Sequence, residues 1–164
     1  MMRYYILSAF MLLTVGMNAA TKTVKLKVIE TSDVHGHFFP WDFTEGKPIN
    51  GSLVRANSYI NKERKKYGQN LLLIDNGDIL QGQPCTYWSN FVATDEENLA
   101  ARVVNYMNYD VETFGNHDVE PGHKVYDKWI SEVRCPMIGA NIVKEGCKGK
   151  EANPANIYKA KIGR

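Results

Sequence analysis

The sequence predicts an α/β domain with a largely parallel sheet, on three observations. Apolar runs and amphipathic segments alternate along the chain as strand, helix, strand, helix, strand, helix, strand. One run, Leu71 to Ile74, has no polar residue, the pattern of a strand covered on both faces. Short clusters of Gly, Asp, Asn and His follow three of the predicted strands, at the edge where parallel sheets gather their functional loops.

The chain opens with Met1-Met2-Arg3, an uncharged apolar stretch from Tyr4 to Met17, and Asn18-Ala19-Ala20, the layout of a secretory signal peptide over residues 1–20. The stretch is shorter than the roughly 20 residues that cross a bilayer. The expectation is export, to the periplasm or outside the cell, without stable membrane insertion after cleavage. No cysteine ends the apolar run, so nothing supports a lipoprotein route. Residues 21–164 remain as one domain-sized unit.

Within that unit, Val24 to Thr31 alternates apolar and polar residues and reads as a strand. Gly51 to Tyr67 reads as an amphipathic helix with Leu53, Val54, Ile60 and Tyr67 on its apolar side, stopped by Gly68. Leu71 to Ile74 is the buried strand. Glu96 to Asn108 reads as a helix, Val111 to Phe114 as a short strand, Gly122 to Val133 as a helix and Pro136 to Val143 as a strand. Ile157 to Ile162 has a strand pattern that runs into Gly163-Arg164.

The formal net charge of +2 gives no argument for a nucleic-acid polymer as partner. Cys85, Cys135 and Cys147 match no zinc spacing, and in an exported protein Cys135 and Cys147 can pair. The chemistry lies in the clusters Asp33-Val34-His35, Gly77-Asp78 and Gly115-Asn116-His117-Asp118. Parallel strands bring the loops after Thr31, Ile74 and Phe114 to one edge, so the clusters are expected to converge. Asp33 and His35 offer carboxylate and imidazole ligands, Asp78 a carboxylate able to bridge, and Asn116 a neutral oxygen. Two ions roughly 3.5–4 Å apart can share a hydroxide and steady an in-line displacement at phosphorus. His117 is then free to act on the leaving oxygen, with Glu120 or Asp118 fixing its tautomer.

These motifs resemble the calcineurin-like metallophosphoesterases, and within them the secreted 5′-nucleotidase and 2′,3′-cyclic-nucleotide 2′-phosphodiesterase group. The resemblance is carried by Thr31-Ser32-Asp33-Val34-His35-Gly36, Gly51-Ser52-Leu53-Val54-Arg55, the run from Asp75 to Pro84, and Gly115-Asn116-His117-Asp118. It implies a four-layer α/β/β/α sandwich, of which this chain would be the N-terminal portion. It also implies two divalent ions (zinc, manganese, magnesium or iron), with Asp33 and His35 on the first, Asp78 bridging, Asn116 on the second and His117 acting on the leaving group.

The family commonly has Glu after the Asn-His pair, where Asp118 stands here, and often an Asp as histidine orienter, where Glu120 stands. It also takes further histidines from later strands and a base pocket from a C-terminal domain, none of which follows Arg164. The missing C-terminal half is therefore an expected partner, and the chain alone is expected to be inactive. The implied substrate is a nucleotide, cyclic or 5′, or another phosphoester. An inactive secreted binding domain with a partial metal site and a thiosulfate-ester hydrolase of the same superfamily are the alternatives. Smaller expectations concern His37 as a surface-loop histidine, His123 as structural, Arg55 as an outward helix charge, and Phe38 to Trp41 as a cleft lip or a domain-packing loop.

Overall fold

A strand ladder beginning at Lys27 organises the computed structural model, which describes residues 23–139. The elements are β1 (Lys27–Thr31), a small hairpin of β2 (Trp41–Asp42) and β3 (Lys47–Pro48), α1 (Leu53–Tyr67) and β4 (Leu71–Asp75). There follow α2 (Pro84–Tyr87), which runs into a π-helical turn over Trp88–Val92, then α3 (Leu99–Met107), β5 (Val111–Thr113), α4 (Asn116–Val119), α5 (His123–Glu132) and β6 (Met137–Ile138). The main sheet has the order β1-β4-β5-β6 with every neighbouring pair parallel.

Local chemistry sets the helix bounds. Ser52 caps α1 by accepting the Arg55 N–H, and Asn98 caps α3 by accepting the N–H groups of Ala100 and Ala101. Gly68 ends α1 at φ 54°, where a glycine meets no Cβ penalty. Arg64, Lys65 and Lys66 complement the negative end of the helix dipole.

Register decides which residues face the helices. Ile29 pairs with Leu73, Thr31 with Asp75, Asp75 with Glu112, and Glu112 with Met137, so these share one sheet face. That face joins Leu53, Ile60, Val104, Val125 and Trp129 in one core. On the opposite face Val28 and Ile138 are about half exposed, and Leu72, Ile74 and Val111 are partly covered. The described residues thus form one sheet and one helix layer of an α/β sandwich.

The predicted elements survive with trimmed ends. The first strand starts at Lys27 rather than Val24, because residues 24–26 make no ladder with a neighbour. Phe38 is a core residue, 1% exposed, rather than part of a lip, whereas Phe39 and Trp41 do face solvent. Arg55 is exposed on α1 as expected. His123 is exposed at the start of α5, where its Nδ1 lies 2.6 Å from the Tyr126 hydroxyl. The signal segment, Cys147, the end of the last-but-one predicted strand and the strand at Ile157 to Ile162 lie outside the described residues. No helix among the described residues is long and apolar enough to cross a membrane.

Candidate metal centre

The loops after β1, β4 and β5 meet as the topology requires, stitched by backbone hydrogen bonds. Asp33 N–H donates to the Gly77 carbonyl at 3.0 Å, and His35 N–H to the Asp78 carbonyl at 2.8 Å. Asp33, His35 and Asp78 all have positive φ, between 48° and 60°, a conformation that L residues adopt sparingly and that clusters at functional sites. In each case the turn re-aims a polar side chain at the end of a strand.

Ligand atoms of His35, Asp78 and His117 lie within 4.8 Å of one another. His35 Nδ1 sits 3.1 Å from the Gln81 carbonyl, an acceptor, so Nδ1 carries the proton and Nε2 keeps its lone pair. Asp78 is 8% exposed, and its Oδ1 accepts the His117 N–H at 2.8 Å. His117 Nδ1 lies 3.0 Å from Glu120 Oε2. The His35 and His117 rings stand edge to face, 5.2 Å apart.

Asp33 is outside the group of three: it is exposed, and its carboxylate accepts from the Ser32 hydroxyl. Asn116 is exposed at the first position of α4, one residue before His117. Of the predicted site residues, the structure therefore gathers His35, Asp78, His117 and Glu120 tightly and leaves Asp33 and Asn116 at the rim.

Electrostatics separate the carboxylates. The hydrogen bond from His117 holds Glu120 below the usual carboxylate range, and the same bond raises the His117 imidazole. Asp118 belongs to the scaffold: fully buried, its carboxylate accepts the N–H groups of Asp78, Ile79, Leu80 and Gly115 at 2.7 to 2.9 Å. The histidine partner is thus Glu120.

Glycine makes the approach of the loops feasible. A Cβ on Gly77 would fall 2.1 Å from the Gly115 nitrogen, and one on Gly115 would fall 2.0 Å from Asp78 Oδ1. Gly77 also sits at φ 91°.

Sequence reasoning missed several supporting residues. Beneath the site Asp75 and Glu112 lie side by side on adjacent strands, both fully buried. Burial, then neighbouring charge, pushes Asp75 up to about 6 and Glu112 well above its ordinary value. Thr31 hydroxyl bonds both Asp75 and the Tyr109 hydroxyl. His37 is half-buried: its Nδ1 faces the Val34 carbonyl at 3.2 Å and its Nε2 meets the Gln83 amide at 3.0 Å. With both nitrogens engaged, it is a loop brace. The one sequence signal for these residues was the acidic residue inside each apolar strand.

No family model matches the chain. It is 30% identical over 142 residues to the 2′,3′-cyclic-nucleotide 2′-phosphodiesterase/3′-nucleotidase of Haemophilus influenzae, covering 85% of this chain and 22% of that protein. Among solved structures, the Staphylococcus aureus putative 5′-nucleotidase in complex with alpha-ketoglutarate superposes with a TM-score of 0.66 at 30% identity, covering 74% of this chain and 24% of that one. The calcineurin-like phosphoesterase YfkN from Bacillus subtilis gives 0.67 at 26% identity, covering 76% and 39%.

Parallel sheet, converging strand-end loops and these likenesses define a calcineurin-like phosphoesterase domain. The chain belongs to that superfamily, alongside the nucleotidases and cyclic-nucleotide phosphodiesterases it resembles in sequence. It spans about a fifth of the length of the H. influenzae relative.

Proposed function

We propose that this chain carries part of the catalytic centre of a divalent-metal-dependent phosphoester hydrolase acting on nucleotides, either 2′,3′-cyclic nucleotides or nucleoside monophosphates. The observation that carries the reading is the convergence of His35, Asp78 and His117 within 4.8 Å at one sheet edge.

The donor set suits a divalent ion. His35 presents a bare Nε2 because its Nδ1 is tied to Gln81, and Asp78 presents a buried carboxylate with oxygen lone pairs to spare. His35 and Asp33 would hold a first ion, Asp78 would bridge, and Asn116 would serve a second, with further ligands from outside the described residues. Zinc, manganese, magnesium and iron are all compatible with such donors. Ions bound there supply Lewis-acid activation of water and phosphate.

The chain's own residues do the rest. Glu120 accepts from His117 Nδ1, which fixes the ring and favours the imidazolium, so Nε2 can deliver a proton to the leaving oxygen. Asp118 keeps the Asp78 and Gly115 backbones in register throughout. The apolar leader and the secreted group it resembles support export to the periplasm or outside the cell.

The direct test is hydrolysis of 2′,3′-cyclic AMP and AMP by metal-loaded protein, in this chain and in any longer product of its reading frame. Turnover that disappears in Asp78→Asn supports the reading. Metal-loaded protein of the longer product without turnover on either substrate rejects it.

A further inference from the structure

The sequence contains two Asn-Gly pairs, Asn50-Gly51 and Asn76-Gly77. In such a pair the backbone nitrogen of the glycine can reach the asparagine side-chain amide with least hindrance, because glycine has no β-carbon to crowd the approach. Both asparagines are exposed, so access to water does not separate them. The hold on their backbones does.

The Asn76-Gly77 backbone is locked. Asn76 N–H donates to the Thr31 carbonyl at 2.8 Å, and the Gly77 carbonyl accepts from Asp33 N–H at 3.0 Å. The nitrogen that would attack is itself engaged, since Gly77 N–H donates to Asp75 Oδ2 at 3.1 Å. Gly77 also packs so tightly on Gly115 that its backbone has no room to turn.

Asn50-Gly51 lies between two anchors with nothing holding it. Ile49 N–H donates to the Pro40 carbonyl, and Leu53 N–H to the His37 carbonyl. Between them, neither the Gly51 N–H nor the Asn50 side chain has a hydrogen-bond partner among the described residues. Gly51 is exposed and has open space on its Cβ side, with no atom within 4 Å.

From this contrast we infer that Asn50 is a site of spontaneous covalent modification in the folded protein, where the Gly51 nitrogen closes on the Asn50 side-chain amide, while Asn76 is spared. The Gly51 nitrogen bonds to Cγ of Asn50 and gives its proton to solvent. The Cγ–Nδ2 bond breaks, and the amide leaves as ammonia with a proton from water. Water then opens the resulting cyclic imide: cleavage at Cγ gives aspartate, and cleavage at the main-chain carbonyl carbon gives isoaspartate. No electrons are transferred, and water is the one co-reactant.

Both products carry a new carboxylate two residues ahead of Ser52, the N-cap of α1, a helix with no acidic residue in its first turn. The charge therefore falls at the positive end of the helix dipole, where it is tolerated. Gly51 and Ser52 line the same hollow as Asp33 and His37, so the charge enters on the Asp33 side of the centre. The isoaspartate form also lengthens the main chain by one carbon between the two anchors. The inference does not rest on the hydrolase reading.

The test is incubation of the folded full chain at pH 8 in water enriched in heavy oxygen, followed by peptide mapping with mass spectrometry, beside a sample unfolded in guanidinium. Label and the amide-to-acid mass change are expected at Asn50. In the folded protein Asn76 should convert at least about tenfold more slowly, since a locked segment reacts only through local opening. In the unfolded sample the two should convert at comparable rates. Gly51→Ala should slow conversion of Asn50 about tenfold by crowding the nitrogen, with an unchanged circular dichroism spectrum because the methyl meets nothing. An Asn50 that stays intact in the folded protein while converting in the unfolded one overturns the inference, as does an Asn76 that converts in the folded protein as fast as Asn50.

Discussion

The backbone N–H of Asp78 donates to the Asp118 carboxylate at 2.7 Å, and Asp78 in turn accepts the His117 N–H at 2.8 Å. Asp118 and Asp78 therefore clamp the loops after β4 and β5 to each other from both sides. One carboxylate is buried under four amide donors, and the other is left facing the centre.

Asp118→Asn keeps the shape but turns an amide group toward backbone N–H donors. Hydrogen bonds to a charged acceptor contribute roughly 1.5–3 kcal/mol each, and unsatisfied buried donors cost a similar amount. A loss of at least about 3 kcal/mol is expected in urea unfolding. Unchanged stability would show that the clamp contributes little.

Gly115→Ala places a methyl where Asp78 Oδ1 now sits, 2.0 Å from the ideal Cβ. The carboxylate must move, and metal affinity should fall roughly 10- to 100-fold, as when ligand-orienting partners are lost. Titration with manganese or zinc measures it. Wild-type affinity would show that the Asp78 position is not critical.

Glu120 raises the His117 pKa by stabilising the imidazolium. If His117 acts as an acid, activity falls as pH rises through that pKa. Glu120→Gln removes the charge, lowers the pKa and should move the falling limb of the pH–rate profile to lower pH, with turnover reduced. His117→Ala should cut turnover roughly 10²- to 10⁴-fold while sparing metal content. A limb that stays in place in Glu120→Gln, or metal loss in His117→Ala, would assign the histidine a ligand's role.

Asp75 and Glu112 predict a pH dependence of stability. Both have folded pKa values raised by burial, so their contribution is full below the unfolded pKa and is lost as pH rises through the folded one. For Asp75, raised from 3.8 to about 6, the loss accumulates across that window and amounts to about 3 kcal/mol. Glu112 extends the loss to higher pH. Among the described residues neither Glu112 oxygen meets a donor that would stabilise its charged form, and the Asp75 carboxyl beside it disfavours that charge, so Glu112→Gln should hold Tm at pH 8 at or above wild type and flatten its fall above pH 6. A lower Tm for the variant at pH 8 would show that the charged form is stabilised in the fold.

Much of this was legible from sequence, because the informative signals are local. Gly68 ends α1, Leu71 to Ile74 is continuously apolar, and the clusters at Asp33, Asp78 and Asn116 sit where parallel strands end. The convergence of His35, Asp78 and His117 follows from that topology. What stayed hidden depends on register and long-range contact. That Asp75 lies beside Glu112 requires the β4–β5 pairing, and that Asp118 reaches back to residues 78–80 requires the folded loops. The β2–β3 hairpin has two residues per strand, too few for any periodicity to show. Residues 84–92 follow a Gly-Gln-Pro break and carry mixed aromatics, so neither helix nor strand period stood out.

The central claim is that His35 and Asp78 hold divalent metal for nucleotide phosphoester hydrolysis, and joint measurement of metal content and 2′,3′-cyclic AMP hydrolysis tests it. This is done for wild type, His35→Ala and Asp78→Asn, in the longest product of the reading frame. The account predicts bound divalent metal and turnover in the wild type, with both lost in each variant. Turnover that survives in the metal-depleted variants, or full metal content in Asp78→Asn, would contradict it.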